Sequence, residues 1–599
     1  MTWLVLPISL MRLRFSFSAA FVFSSYFVLS GAKLLIAHSA GVAGFGWESA
    51  AYSVIGWALL WSVFGSAARF HWVLLPAFVL LPAEGFLLAN FRQGLTSHHL
   101  GIALESSPAE VLEFMGDGVL GAGALLAGAL AWWLAIGMCV LRSNGLVLGW
   151  RFRRLLLLVF SAGAVLVFLG SFITSGSVSN QRPITASTPM WRSWVAKLGA
   201  RERMTAIGNS APLGFGLRTW EFWRERQYLA RLSGVNEGFS FGAEQRSRRD
   251  SAQVIVLVIG ESSRFDRWGL NGYARDTTPL LSKEKNLLSL SDLITSVSAT
   301  RLSVPVILSR KPSRQSLNAG FSEKSLVSAF REAGYKTFWL SNQMSFGEFD
   351  TPISVFAREA DVTRFFNLGG YADSPSHDDV LLAPLQAAID DSAKKKLIVL
   401  HSLGSHWNYG QRYPKEFDRW QPSLFGSVNA AFTDLALKEA LNNSYDNSVL
   451  YTDWFLSKVI DSLKRTNEVA SMMYVADHGQ SLYDGDCRIA FHGHNTQYEF
   501  HVPALVWFSN SYERVFPKKI RVLHQHRDSR LSTENVFHSL LDMADIRYPS
   551  EQLGWSFFSP HWTPHQRFVD SYGWTNYDDA TMEGACREVI RRQETVPSD

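Results

Sequence analysis

Cysteine is almost missing from this chain: Cys139, Cys487 and Cys586 are all that 599 residues contain. So few cysteines exclude a disulfide-stapled small-domain architecture, and no CxxC or Cys/His zinc-finger spacing occurs. Cys139 lies in an apolar run, which leaves Cys487 and Cys586 as the pair open to a disulfide if the C-terminal part is exported. Neither sign of charge dominates, with 57 Lys and Arg against 53 Asp and Glu. A net charge of +4 is too small for a nucleic-acid-binding surface, so no nucleic acid partner is expected. Internal repeats are absent, and Lys394-Lys395-Lys396 is the one low-complexity run, read as a solvated turn before a strand. A chain this long exceeds a single core, so at least two domains are expected.

Charges are also scarce across the first ~175 residues, where long apolar runs dominate. Five stretches reach the roughly 20 residues that cross a bilayer, at 15–37, 48–67, 70–90, 118–141 and 155–174. The first lacks a small-residue cleavage site and precedes further spans, so it reads as an anchor and not a leader. Arg12, Arg14, Arg69, Arg142, Arg151, Arg153 and Arg154 fall on one side of a five-span arrangement. The opposite loop, 92–117, has Glu105, Glu110 and Glu113 with a single Arg. Positive residues stay cytoplasmic, so everything after residue 174 is expected outside an inner membrane. Glu84 lies inside the third span, where an ionisable group is costly and is a functional candidate. Glu84 and Glu105 are candidates for contacting a cationic lipid headgroup, though Glu84 reads more readily as an acid snorkelling near a helix end or paired to a neighbouring helix.

Residues 1–174 therefore read as a transmembrane domain, 175–250 as an interfacial linker and 251–599 as a soluble domain. The linker mixes Trp191, Trp194, Trp220 and Trp223 with basic residues, and 218–232 has the character of a helix lying at a membrane surface. Beyond it, strands at 254–260, 336–341, 396–402, 472–476 and 501–508 alternate with helices at 324–333, 446–464 and 533–543, the last opening on the N-cap candidate Ser532-Thr533. That alternation predicts a doubly wound α/β sheet. Two of its apolar strands run straight into metal-ligand residues: 254–260 into Glu261, and 472–476 into Asp477-His478. Ligands in such sheets bind beyond the strands' carboxyl ends, so these residues are expected to converge. Two carboxylates and one imidazole suit a catalytic zinc with an open position. The reactive oxygen would come from water or from Ser262, Ser263, Ser298, Thr300 or Ser303, and spacing does not choose among them. Ser262 and Ser263 read more readily as turn residues.

Five motifs in order carry a resemblance. Ile259-Gly-Glu-Ser-Ser-Arg264 is followed by Asn271-Gly-Tyr273 and Thr277-Thr-Pro279. Then come Ala299-Thr-Arg-Leu-Ser-Val-Pro305, His401-Ser-Leu-Gly-Ser-His406, Tyr445-Asp-Asn447 with Tyr451-Thr-Asp453, and Asp477-His-Gly479. Together with the membrane anchor, the chain resembles the membrane-anchored phosphoethanolamine transferases, sulfatase-like proteins. The similarity is greatest to the branch acting on lipopolysaccharide core or periplasmic glucans, by Trp339-Leu-Ser-Asn-Gln343 and Thr351-Pro-Ile-Ser354.

The resemblance implies a multi-pass helical membrane domain plus an α/β alkaline-phosphatase-like periplasmic domain in a bacterial inner membrane. It implies Thr300 as nucleophile, with Glu261, Asp477, His478 and Thr300 on Zn2+. His406, Asn342 and one of His492 or His494 would contact substrate, His492 fitting better. The expected donor is phosphatidylethanolamine, the acceptor an envelope glycan or lipopolysaccharide, and the protein a monomer among membrane lipids. The chain departs from the pattern at three points. Gln480 stands where the family has Glu, which argues for one zinc and against a second; no Lys follows Asn342 closely; and cysteines are fewer than in the lipid A-modifying enzymes. Two alternatives fit the same architecture: a phosphoglycerol transferase of the lipoteichoic acid synthase type using phosphatidylglycerol, and a non-catalytic membrane sensor. The sulfatase maturation motif is absent around Thr300.

Overall fold

The computed structural model describes residues 17–39, 47–91, 94–96, 99–101, 119–142, 146–147, 153–162, 207–236, 238–246, 252–315, 321, 323–344, 352–367, 376–427 and 430–592. These fall into two compact units, one drawn from the described residues up to 222 and the other from 223 onward.

The first unit is helical. Its long elements are α1 (Phe17–Ser39), α2 (Trp47–Phe64), α3 (Leu75–Phe91), α4 (Val119–Arg142) and the start of α5 (Leu213–Asn236). Among the described residues, Ser18–Ser39, Ala67–Leu88 and Leu120–Arg142 are long and apolar enough to cross a membrane. The expected second span forms a shorter apolar helix, Ser49–Phe64, and most of the expected fifth lies outside the described residues. Val22, Tyr26, Phe70, Phe78 and Ile136 pack into the unit's core. Phe27 and Leu120 are 77% and 86% exposed, an outward apolar face that lipid rather than water suits. Arg69 and Arg153 both donate to carbonyls at the end of α2, those of Phe64 and of Ser62 and Val63. Two of the basic positions used for orientation thus share one end of this unit.

The second unit is built on a seven-stranded sheet. In chain order its strands are β1 (Gln253–Gly260), β2 (Leu287–Leu290), β3 (Lys336–Met344), β4 (Val362–Asn367), β5 (Lys395–His401), β6 (Val469–Ala476) and β7 (Ala504–Phe508). The spatial order is β2-β7-β6-β1-β5-β3-β4. β7 runs antiparallel to both neighbours, and the pairs from β6 across to β4 are parallel. β1 and β6 are buried along their whole length, as continuous apolar runs in a covered parallel sheet should be. Helices α6 (Thr300–Leu308), α7 (Leu326–Glu332), α8 (Leu382–Ile389), α9 (Lys438–Thr466) and α10 (Glu534–Met543) accompany it.

Two of these strands are not marked by the sequence pattern. β2 is buried but only four residues long at one edge, too short a run to stand out, and β4 is a half-buried edge strand carrying Arg364. Helix α6 was also unforeseen, because Pro305 lies inside it. Thr533 precedes α10 as expected, yet its side chain makes no capping bond; Asn535 Oδ1 accepts from the Ser532 N–H instead. Cys487 and Cys586 are joined by a disulfide.

Candidate metal centre

The sheet register creates the site. β1 and β6 are adjacent and parallel, and Gly260 lies opposite Ala476. The next residue on each strand is a carboxylate, Glu261 or Asp477, and the Asp477 N–H donates to the Gly260 carbonyl at 3.0 Å. His478 follows. Its Nδ1 lies 2.9 Å from the Gly479 carbonyl, which places the hydrogen on Nδ1 and leaves Nε2 as a bare acceptor. Nε2 is 3.5 Å from Glu261 Oε1 and 3.5 Å from Asp477 Oδ2.

Thr300 completes the group. As the first residue of α6 its Oγ1 donates to Glu261 Oε2 at 3.0 Å and lies 3.2 Å from His478 Nε2. Ser262 sits in the left-handed region at φ 57°, and its hydroxyl donates to Glu261 Oε1 at 2.5 Å. Ser263 Oγ is taken by Trp268 Nε1, and Ser303 Oγ turns back to the Thr300 carbonyl. Ser298 presents its carbonyl to His492. Of the five candidate hydroxyls, Thr300 is the one that bridges a carboxylate and His478.

The set fits a metal. Among the described residues, Glu261, Asp477 and His478 are the one His/Cys/Asp/Glu group whose ligand atoms all lie within 4.8 Å of one another. Ligands about 2.0 Å from a tetrahedral zinc stand roughly 3.3 Å apart, close to the spacings here. Asp477 Oδ1 accepts the Ser262 and His478 N–H groups, whereas Oδ2 is buried without a hydrogen-bond partner. Burial and the neighbouring Asp477 carboxylate push Glu261 well above the usual carboxylate range. Two carboxylates this close and this dry call for a cation between them.

The substrate-side candidates divide. The His492 ring centre is 4.3 Å from that of His478, and Nδ1 faces the Ser298 carbonyl at 2.7 Å. His494 instead folds back, Nε2 meeting the Ala490 carbonyl at 3.0 Å. His406 is near enough to His492 to act on its charge and holds Nδ1 2.7 Å from the Trp407 carbonyl. Asn342 is not at the centre. It is fully buried, its amide donating to Asp378 and accepting from Ser376. The residue after it is: Gln343 Nε2 donates to Glu261 Oε2 at 3.2 Å and to the Ser402 carbonyl at 2.9 Å. Alternation along β3 separates the two, a one-residue offset visible once the strand's facing is known. Gln480 is buried with neither atom of its amide hydrogen-bonded.

Glu84 lies in the first unit, ion-paired to Lys33 and, at 3.1 Å, to Arg218 at the start of α5. Protein cations thus occupy the carboxylate considered for a headgroup. Glu105 lies outside the described residues.

Residues 253–546 match the family model described as Sulfatase. Over 370 residues the chain is 28% identical to the phosphoethanolamine transferase EptC of Escherichia coli K12, a match covering 60% of this chain and 63% of that protein. The match thus spans less than two thirds of that relative. Among solved structures, the zinc complex of the C-terminal periplasmic domain of Escherichia coli EptC aligns at TM-score 0.50 and 28% identity, over 56% of this chain and 95% of that one. The integral membrane lipooligosaccharide phosphoethanolamine transferase A of Neisseria meningitidis aligns at TM-score 0.62 and 21% identity, over 90% and 98%. The architecture is accordingly a multi-pass helical membrane domain plus a sulfatase-like α/β domain.

Proposed function

We propose that this chain, which carries a sulfatase domain and resembles the phosphoethanolamine transferases, transfers phosphoethanolamine from phosphatidylethanolamine to an envelope glycan or lipopolysaccharide acceptor. The observation that carries the proposal is Thr300 Oγ1, within hydrogen-bond reach of both Glu261 and His478 beside the unpartnered Asp477 Oδ2. Glu261, Asp477, His478 and Thr300 would hold one zinc, and the buried neutral amide of Gln480 argues against a second. A bound zinc would lower the pKa of the Thr300 hydroxyl and offset charge on that oxygen.

In the first half-reaction Thr300 Oγ1 forms a bond to the donor phosphorus as the bond from phosphorus to the diacylglycerol oxygen breaks. Glu261 Oε2 accepts the Thr300 hydrogen bond and orients that oxygen, the Thr300 proton passes to solvent, and the departing oxygen takes one up. The product is phosphoethanolaminyl-Thr300. The acceptor hydroxyl then attacks phosphorus and the Thr300 oxygen leaves, recovering its proton. His492 carries its hydrogen on Nδ1, toward Ser298, so Nε2 suits acceptance of the acceptor's proton. His406 would contact the phosphate from the opposite loop. Thr300 opens α6, so the transferred group would sit at a helix N-terminus, where anions are favoured.

The apolar helices, the Arg69–Arg153 arrangement and the Cys487–Cys586 disulfide support an inner-membrane anchor with the sulfatase domain exported. That location brings the catalytic domain to its lipid donor. The test uses the full chain in vesicles holding headgroup-labelled phosphatidylethanolamine or phosphatidylglycerol, with lipopolysaccharide added. Label should move from phosphatidylethanolamine. Movement from phosphatidylglycerol alone would assign a phosphoglycerol transferase, and no movement from either by a zinc-free protein would assign a sensor.

A further inference from the structure

His406 stands on a turn that must be held against Glu261, and the structure shows what holds it. The turn leaves β5 at His401. Its Ser402 and Ser405 N–H groups donate to the carbonyls of Ile259 and Glu261 at 3.1 and 3.0 Å, so it rides on the end of β1. Gly404 has φ +49°, and a Cβ there would lie 2.7 Å from the Glu261 carbonyl oxygen. Backbone contact this close leaves two N–H groups facing inward, and both end on one carboxylate. Asp378 Oδ1 accepts from Leu403 N at 2.7 Å and Oδ2 from Gly404 N at 2.9 Å. Oδ1 also accepts from Asn342 Nδ2 at 2.9 Å. Asp378 is 4% exposed, and the next residue, Asp379, is tied to α9 by the Tyr451 hydroxyl. A buried carboxylate receiving three N–H bonds has little freedom, so it fixes the turn in direction as well as distance.

We propose that Asp378 is a positioning residue that aims His406 at the metal centre through the N–H groups of Leu403 and Gly404. It touches no reacting atom; Asn342 holds it from behind. The role rests on the proposed transfer reading for its effect on rate, but not for its effect on the turn. Replacement by Asn keeps one acceptor and turns an amide donor toward N–H groups that are themselves donors.

The test pairs two readouts on the full chain. The first is carbethoxylation of His406 by diethyl pyrocarbonate, followed by peptide mass spectrometry. Asp378→Asn should change the His406 rate several-fold while leaving the exposed His524 unchanged. The second is a double-mutant cycle for transfer from phosphatidylethanolamine. Asp378→Asn and His406→Ala should each lose about 10- to 100-fold, a common size for an outer-shell partner, and the double variant should be no worse than His406→Ala. Asn342→Ala, which leaves both N–H bonds in place, should shift both readouts in the same direction by less, and serves if Asp378→Asn does not fold. Unchanged His406 reactivity in either folded variant overturns the proposal, as do losses that multiply in the cycle. Altered reactivity in a protein that transfers nothing upholds the positioning and sinks the transferase reading instead.

Discussion

Glu261 receives bonds from Ser262, Thr300 and Gln343, so its two oxygens are oriented before any ligand arrives. Glu261→Gln keeps the shape and removes the charge. It should bring zinc, measured by elemental analysis, to well below that of the wild type, while melting of the zinc-free variant should match or exceed that of zinc-free wild type because Asp477 loses a like-charged neighbour. Gly404→Ala should behave oppositely: a left-handed alanine alone costs about 1–2 kcal/mol, the Cβ meets the Glu261 carbonyl, and both melting temperature and transfer should fall. At this scale Glu261, Asp477 and His478 could be read from the sequence because each directly ends an apolar strand. Thr300 needed the resemblance, since five hydroxyls were equally placed along the chain. Gln343 and Asp378 were illegible. Their partners are brought to them by strand pairing, and a single residue of alternation assigns Asn342 to the interior and Gln343 to the centre.

At the scale of elements, α9 does more than cover the sheet. Its Asp453 accepts the N–H groups of Leu280 and Leu281 at 3.0 and 2.9 Å, fastening the segment after the Thr277-Thr278-Pro279 motif. Burial pushes the Asp453 carboxyl up to about 7, against the pull of those bonds. Its folded value thus exceeds its unfolded one, so the folded state holds the extra proton. Below about pH 4 both states are protonated and nothing is lost; between about 4 and 7 stability from this group falls as pH rises. Melting of Asp453→Asn should be flatter across that window than melting of the wild type, and parallel curves would contradict the assignment. Strands buried on both faces were legible from their apolar runs. The edge strands β2 and β4 were not: β2 is buried but only four residues long, and β4 is half-buried and carries Arg364. The start of α6 was hidden by Pro305, which a helix of nine residues accommodates.

For the whole molecule, the division into an apolar helical part and an α/β part was legible from the charge distribution alone. The number of membrane crossings was less so: hydropathy marks stretches, and α2 is apolar yet short. A cysteine-reactive, membrane-impermeant reagent applied to intact cells with a permeabilised outer membrane should label Thr466→Cys, at the end of α9, and not Arg69→Cys. The reverse pattern would place the α/β unit in the cytoplasm. The centre's chemistry rests on one oxygen, Thr300 Oγ1. Incubation of the full chain with phosphatidylethanolamine, followed by peptide mass spectrometry, should find phosphoethanolamine on the peptide bearing Thr300, absent in Thr300→Ala and after zinc chelation. Phosphoethanolamine on another residue, or undiminished in Thr300→Ala, would contradict the account.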